Sequence, residues 1–206
     1  MTVGGEKIRY YNTYFNRVAS SGFIIIANKS AKNGWCLHED EDMRASVDWI
    51  KTSSYNDMID WSVPLGIHGH SMGGAATQLF ASLPEYVAEY NVGAAVAHHA
   101  ASIIGGPYIP VVPIFYTTGS IDHLVSPDRV HKKYDITTGV DKAFAEKKGA
   151  GHSWIARKEE QWSTYTVHFF RCYLMNNEVS CNTIYGSSTA KICSLCDCED
   201  CEMTLC

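Results

Sequence analysis

Nowhere in these 206 residues is there an apolar run approaching the roughly 20 residues that a membrane-spanning helix needs. The N-terminus lacks the charged-then-apolar profile of a secretory leader. There is no internal repeat and no low-complexity linker. An excess of one charge is missing too: the net charge is −5, with acids and bases interspersed, which excludes the basic footprint of a nucleic-acid binder. What remains, 46% hydrophobic and 19% charged residues, describes an ordinary soluble globular chain, large enough for one compact core.

The eight cysteines are unevenly spread. Cys36 stands alone, while Cys172, Cys181, Cys193, Cys196, Cys198, Cys201 and Cys206 crowd the C-terminal part. Cys193-x-x-Cys196 and Cys198-x-x-Cys201 offer two chelating pairs, so a metal-binding tail is one reading. Only Asp197 separates the pairs, whereas zinc sites usually place a dozen or more residues between them. No histidine follows His168. Disulfides in an oxidising, extracellular or secretory compartment are therefore preferred, with no metal. Residues 1–180 are expected to form the domain and 181–206 a Cys-rich extension.

Ile8, Tyr11, Phe15 and Val18 recur at helical spacing and are closed by Ser21-Gly22. Residues 23–27, Phe-Ile-Ile-Ile-Ala, predict a strand buried on both faces of a parallel sheet. Glu39-Asp-Glu-Asp42 suits a helix start, with Met43, Val47 and Ile50 as its apolar face. Further strands are expected at 63–67, 92–97, 111–117 and 142–147, the last near the sheet edge. Helices are expected from Ala75, after Ser126-Pro127, and from Ile155 to Leu174. Strands alternating with helices imply an α/β sandwich with a mostly parallel sheet.

The octapeptide from Ile67 to Gly74, I-H-G-H-S-M-G-G, carries the chemistry. Gly69-His70-Ser71-Met72-Gly73 fits G-x-S-x-G, a sharp turn that lifts a serine hydroxyl above a sheet. Its setting, apolar strand before and small-residue helix after, is the context the motif requires. A serine needs a base within reach, and the base needs an orienting partner. Asp122 follows the 111–117 strand and His152 follows the 142–147 strand, in a glycine-flanked loop. The order Ser71, Asp122, His152 is that of a hydrolase triad. Asp128 is the alternative acid, and His98, His99, His123 and His131 compete with His152. His98 and His99 either line the cleft or pack beneath it. His70 is expected to point away from the serine as a packing residue, and His68 to be core, hydrogen-bonded to a neighbour.

On these residues the chain resembles an α/β-hydrolase of the group containing bacterial cutinases, polyester hydrolases and dienelactone-hydrolase-like lipases. The matching pieces are Gly69-His-Ser-Met-Gly-Gly74, "RVASSGFIIIAN", "TGSIDHLVSP" at Thr118 to Pro127 and "KGAGHSW" at Lys148 to Trp154, covering most of 8–175. The resemblance implies Ser71, Asp122 and His152 as catalytic residues and the Met72 backbone N–H as an oxyanion donor. It implies no cofactor. The family's strand before the first helix and one or two earlier ones are expected to be missing here, through an absent beginning or a reduced sheet. Val3-Gly4-Gly5 stands where the remnant of the oxyanion loop would be, with Gly4 as second donor. Where polyester hydrolases carry an aromatic clamp this chain reads Ala97-His-His-Ala-Ala-Ser102, without tryptophan. His99 and Trp154 are candidates for substrate contact, with core packing as the alternative. The family's C-terminal staple fits Cys172, Cys181 and Cys193 loosely. The expected function is a serine esterase acting on small or polymeric carboxylic esters, with a weakly active or silent hydrolase-like binding protein as the rival.

Overall fold

The computed structural model describes residues 2–3, 8–28, 39–102, 106–157, 161–186 and 198–205. It is an α/β sandwich around a six-stranded sheet whose strands lie in sequence order. Strands β1 (Thr2–Val3), β2 (Leu65–His70), β3 (Val92–His98), β4 (Ile114–Gly119) and β5 (Lys142–Lys147) are parallel. β6 (Cys198–Thr204) pairs antiparallel with β5 and covers the edge that the sequence leaves to β5. Part of the 181–206 extension is thus built into the sheet.

Period-two alternation sends successive strand residues to opposite layers. Ala94, Val96, Phe115, Ala143 and Ala145 face a core layer with Tyr11, Tyr14, Trp162 and Phe169. These come from α1 (Asn12–Ala19), the turn before it, and α7 (Gln161–Met175). Ala95, Ala97, Ile114, Tyr116 and Phe144 face the other layer. There they meet Met43 of α2 (Glu39–Thr52), Phe80 of α3 (Met72–Ala81) and Val130 and Tyr134 of α5 (Pro127–Ile136). Two short helices, α4 (Pro84–Glu89) and α6 (Trp154–Arg157), complete these connections, and α8 (Glu178–Tyr185) follows α7. Small residues in β3 let the layers close in: a Cβ at Gly93 would lie 2.7 Å from Pro64 and 2.8 Å from Leu174.

One strand expected from the sequence does not form. Residues 23–27 lie outside the sheet, with Ile24 48% exposed, although an all-apolar run was expected there as a doubly buried strand. A central strand needs a ladder partner along its whole length. The ladder on the β1 side of β2 reaches only Gly69 and His70, because β1 has two residues. The run instead lines a cavity of about 320 Å³ with Ile50, Leu65, Ile67 and Phe170. The expected strand at 111–117 is displaced to Ile114–Gly119, since Pro113 has no N–H to donate. The expected final helix is resolved as α6 and α7, with residues 158–160 outside the described set.

Cys172 on α7 is bridged to Cys181 on α8, closing a sequence separation of 9. Cys201 is disulfide-bonded as well. Cys36, Cys193, Cys196 and Cys206 lie outside the described residues. Loop-closure entropy for so short a loop is worth about 2–3 kcal/mol. The Cys172→Ala/Cys181→Ala protein is therefore expected to melt about 5–10 °C lower than the parent in calorimetry. An unchanged melting temperature would show that α8 is held by packing alone. Among the described residues no helix is long and apolar enough to cross a membrane.

Candidate active site

Ser71 sits between β2 and α3 with φ 60° and ψ −118°, a left-handed conformation that a non-glycine residue adopts only under strain. Three backbone hydrogen bonds hold the turn: Ser71 N–H donates to His98 O, while Ala75 N–H and Ala101 N–H donate to Ser71 O. The flanking glycines are required by contact. A Cβ on Gly69 would collide with the Gly73 carbonyl, and one on Gly74 would lie 2.9 Å from His98 O. The serine is thus aimed by backbone geometry.

The loops after β4 and β5 are laced together and carry the other two groups. Ser120 N–H donates to Lys147 O and Ile121 N–H to Ala150 O. Gly149, at φ 68°, donates its N–H to Ser120 Oγ at 2.9 Å. That lacing brings His152 and Asp122 together, far apart as they are in sequence. His152 Nε2 lies 2.8 Å from Ser71 Oγ, and His152 Nδ1 lies 2.8 Å from Asp122 Oδ2. The ionised carboxylate can only accept, so Nδ1 carries the hydrogen and the Nε2 lone pair faces the serine hydroxyl. Ser71 and Asp122 are buried and the His152 side chain is 15% exposed, so one edge of the ring reaches solvent.

Asp122 is saturated with donors. Oδ1 accepts from Leu124 N–H and Val125 N–H at 2.9 Å each, and Oδ2 accepts from both His152 and His99. Burial alone would raise its pKa. The hydrogen bonds from His152, His99 and Val125 outweigh this and hold the carboxyl well below its usual range.

Beneath the site lies a set of buried histidines. Tyr11 Oη donates to His70 Nδ1 at 2.6 Å, and His70 Nε2–H donates to the His152 carbonyl at 2.8 Å. The carbonyl can only accept, which fixes the His70 tautomer. His70 is buried, yet it does more than pack: it anchors the backbone of His152. Tyr14 Oη contacts His68 Nδ1 at 2.9 Å, His98 Nε2 at 3.0 Å and Thr166 Oγ1 at 3.1 Å. His68 is core and hydrogen-bonded, as read from the sequence. His98 is turned to Thr117 Oγ1 at 2.7 Å. Desolvation pushes the pKa values of His68, His70 and His98 well below the ordinary imidazole range.

His99 requires a correction. Read from the sequence as a substrate contact, or else as packed beneath the cleft, it is 0% exposed and donates Nδ1–H to Asp122 Oδ2 at 2.8 Å, which leaves the second reading. Its positive φ of 46° turns the ring down, under the loop. Trp154 is half-buried against the core layer of α1 and α7. Asp128 is exposed in the first turn of α5, His123 is exposed, and His131 packs against Phe144 of β5 and is engaged with Asp135 and Glu202. None of these three joins Ser71. Met72 opens α3, where a helix leaves its first N–H groups without intrahelical partners. Gly4 lies outside the described residues, although β1 ends level with His70, one residue short of the serine.

Sequence reasoning missed Tyr11 and Tyr14 as polar supports. Their spacing carries only the signal of a helix face, and nothing local says that their hydroxyls reach β2. For the histidines the one signal was density, with four of nine between His68 and His99. As to metals, His99, Asp122 and His152 bring ligand atoms within 4.8 Å of one another, and so do His131, Asp200 and Glu202. In the first group, imidazole N–H donation to the carboxylate accounts for the short contacts. In the second, His131 Nδ1 and Nε2 face carboxylates that raise its pKa against the opposing effect of burial. No protein-family model matches the chain, and no curated protein matches it in sequence.

Proposed function

We propose that the chain is a serine esterase of the α/β-hydrolase kind, cleaving carboxylic esters through an acyl-enzyme. One observation carries this reading: the unbroken relay Ser71 Oγ, His152 Nε2, His152 Nδ1, Asp122 Oδ2, with both contacts at 2.8 Å. In the first half-reaction Ser71 Oγ attacks the carbonyl carbon and its proton passes to His152 Nε2. The C–O bond breaks, and the alcohol leaves with that proton. Water then attacks the acyl-serine, passes a proton to His152, and the acid departs as Ser71 regains its hydrogen. Asp122 holds the imidazole tautomer and stabilises the imidazolium in each half. The Met72 N–H at the start of α3 is the first oxyanion donor, and the residue after β1 is the candidate for the second.

The acid–base chemistry needs no group beyond these side chains. The Cys172–Cys181 bond supports an oxidising compartment. A second reading is a binding protein with a residual hydrolase site, since Gly4, the candidate for the second oxyanion donor, lies outside the described residues. A fluorophosphonate probe is expected to label Ser71 and p-nitrophenyl butyrate to be hydrolysed, both lost in Ser71→Ala. Equal hydrolysis by Ser71→Ala would sink the esterase assignment. Labelling without turnover on any short-chain ester would favour the binding protein.

A further inference from the structure

The Ser–His–Asp relay does not account for His99. A buried imidazole at positive φ is costly, and packing alone would be served as well by an apolar residue. His99 has φ 46° and is 0% exposed, and its Nε2 has no hydrogen-bond partner among the described residues. Its ring meets those of His70 and His152 edge-on, with centroids 5.5 and 5.6 Å apart. Among the described residues its one polar contact to a side chain is Nδ1–H to Asp122 Oδ2, at the same 2.8 Å as the bond from His152 to that oxygen. The backbone enforces this: His99 N–H donates to Thr117 O on β4, tying the turn after β3 to the strand that leads to Asp122.

We propose that His99 is a positioning residue for the hydrolase site: its Nδ1–H clamps the carboxylate oxygen that orients His152 and divides that oxygen's charge between two imidazoles. With Oδ1 fixed by two backbone N–H groups, the second donor on Oδ2 removes the rotation left to the carboxylate. The shared charge also tempers how strongly Asp122 favours a protonated His152. Without the donor, the imidazolium is favoured more and the geometry is held less.

The kinetic part of this proposal rests on the esterase reading, whereas its geometric part does not. His99→Leu removes the donor at similar volume. His99→Asn keeps an N–H near the Nδ1 position and suits a positive φ. In the Leu variant kcat is expected to fall about ten- to a hundredfold, the loss of one hydrogen bond to a charged group, with KM unchanged because the side chain is buried away from substrate. The acid limb of kcat/KM against pH is expected to move up by about half a unit. The Asn variant is expected to restore most of kcat and the parental limb. Equal behaviour of the two variants, or an unmoved limb in Leu, overturns the clamp.

Proton NMR of the unmodified chain and of Ser71→Ala reads the geometry without turnover and without a variant at position 99. Beside the N–H signals of the other buried histidines, two slowly exchanging imidazole N–H resonances at the lowest field, each donated to the Asp122 carboxylate, are expected in both proteins. A single carboxylate-bonded resonance overturns the shared oxygen. Two such resonances in a protein that neither hydrolyses esters nor takes up the fluorophosphonate would uphold the clamp and reject the esterase.

Discussion

Below pH 6.5 the protein is expected to lose stability steeply, by about 4 kcal/mol for each further pH unit over which the three buried imidazoles stay neutral. The cause is the layer of neutral histidines under the site. His68, His70 and His98 are 0–5% exposed and held well below the 6.5 of a free imidazole, chiefly by desolvation. In the unfolded chain each takes up a proton near pH 6.5, whereas in the folded chain it does not. The unfolded state thus binds more protons in that window. Stability is whole above the unfolded value and falls as pH drops toward the folded ones. Each such group contributes about 1.4 kcal/mol per pH unit, and three together give the slope above. His99 adds less, because the Asp122 carboxylate opposes its desolvation. Asp122 acts in the same direction but lower, below its unfolded value of 3.8. Urea melts between pH 7.5 and 4.5, with proton uptake measured on unfolding near pH 5.5, test this. About three protons taken up are expected, and a midpoint unchanged from pH 7 to 5 would mean that these imidazoles reach solvent.

On the proposed esterase reading, Asp122→Asn is expected to lower kcat by about four orders of magnitude with KM within a few-fold. The carboxylate accepts four N–H groups, two on each oxygen, and donates none. An amide has one oxygen. If that oxygen stays with Leu124 and Val125, the NH₂ faces two imidazole N–H groups. His152 then relieves the clash by moving its hydrogen to Nε2, which removes the lone pair that Ser71 needs. If the amide turns round, the NH₂ meets two backbone donors instead. Either way a buried donor goes unpaired, at about 1–3 kcal/mol of stability. Steady-state kinetics together with urea melts separate the two losses. Retention of parental kcat would remove Asp122 from the mechanism.

Much of the site was legible because its signals are local. The glycines of the Ser71 turn and the strand-end positions of Asp122 and His152 follow from spacing in short windows, and chain order did the rest. The expectation for residues 23–27 failed for a non-local reason. Those side chains suit a buried strand, but a strand exists only where a neighbour offers a ladder, and β1 is two residues long. The reading of His99 as a substrate contact failed similarly, since one backbone angle decides whether a residue after β3 faces the cleft or the carboxylate beneath it. Pairing of Cys172 with Cys181 was one option among many for eight cysteines, and the turn between α7 and α8 selected it.

By itself the sequence determined the class of fold, the sharp turn at Ser71 and the identity of the three relay residues, because these depend on periodicity, on glycine sterics and on order along the chain. Tertiary structure alone decided the second donor on Asp122, the Tyr11–His70 support of His152 and the closing of the sheet edge by β6. Each joins groups tens of residues apart, and hydrogen bonds of that kind take their direction from packed layers that no short window of residues encodes.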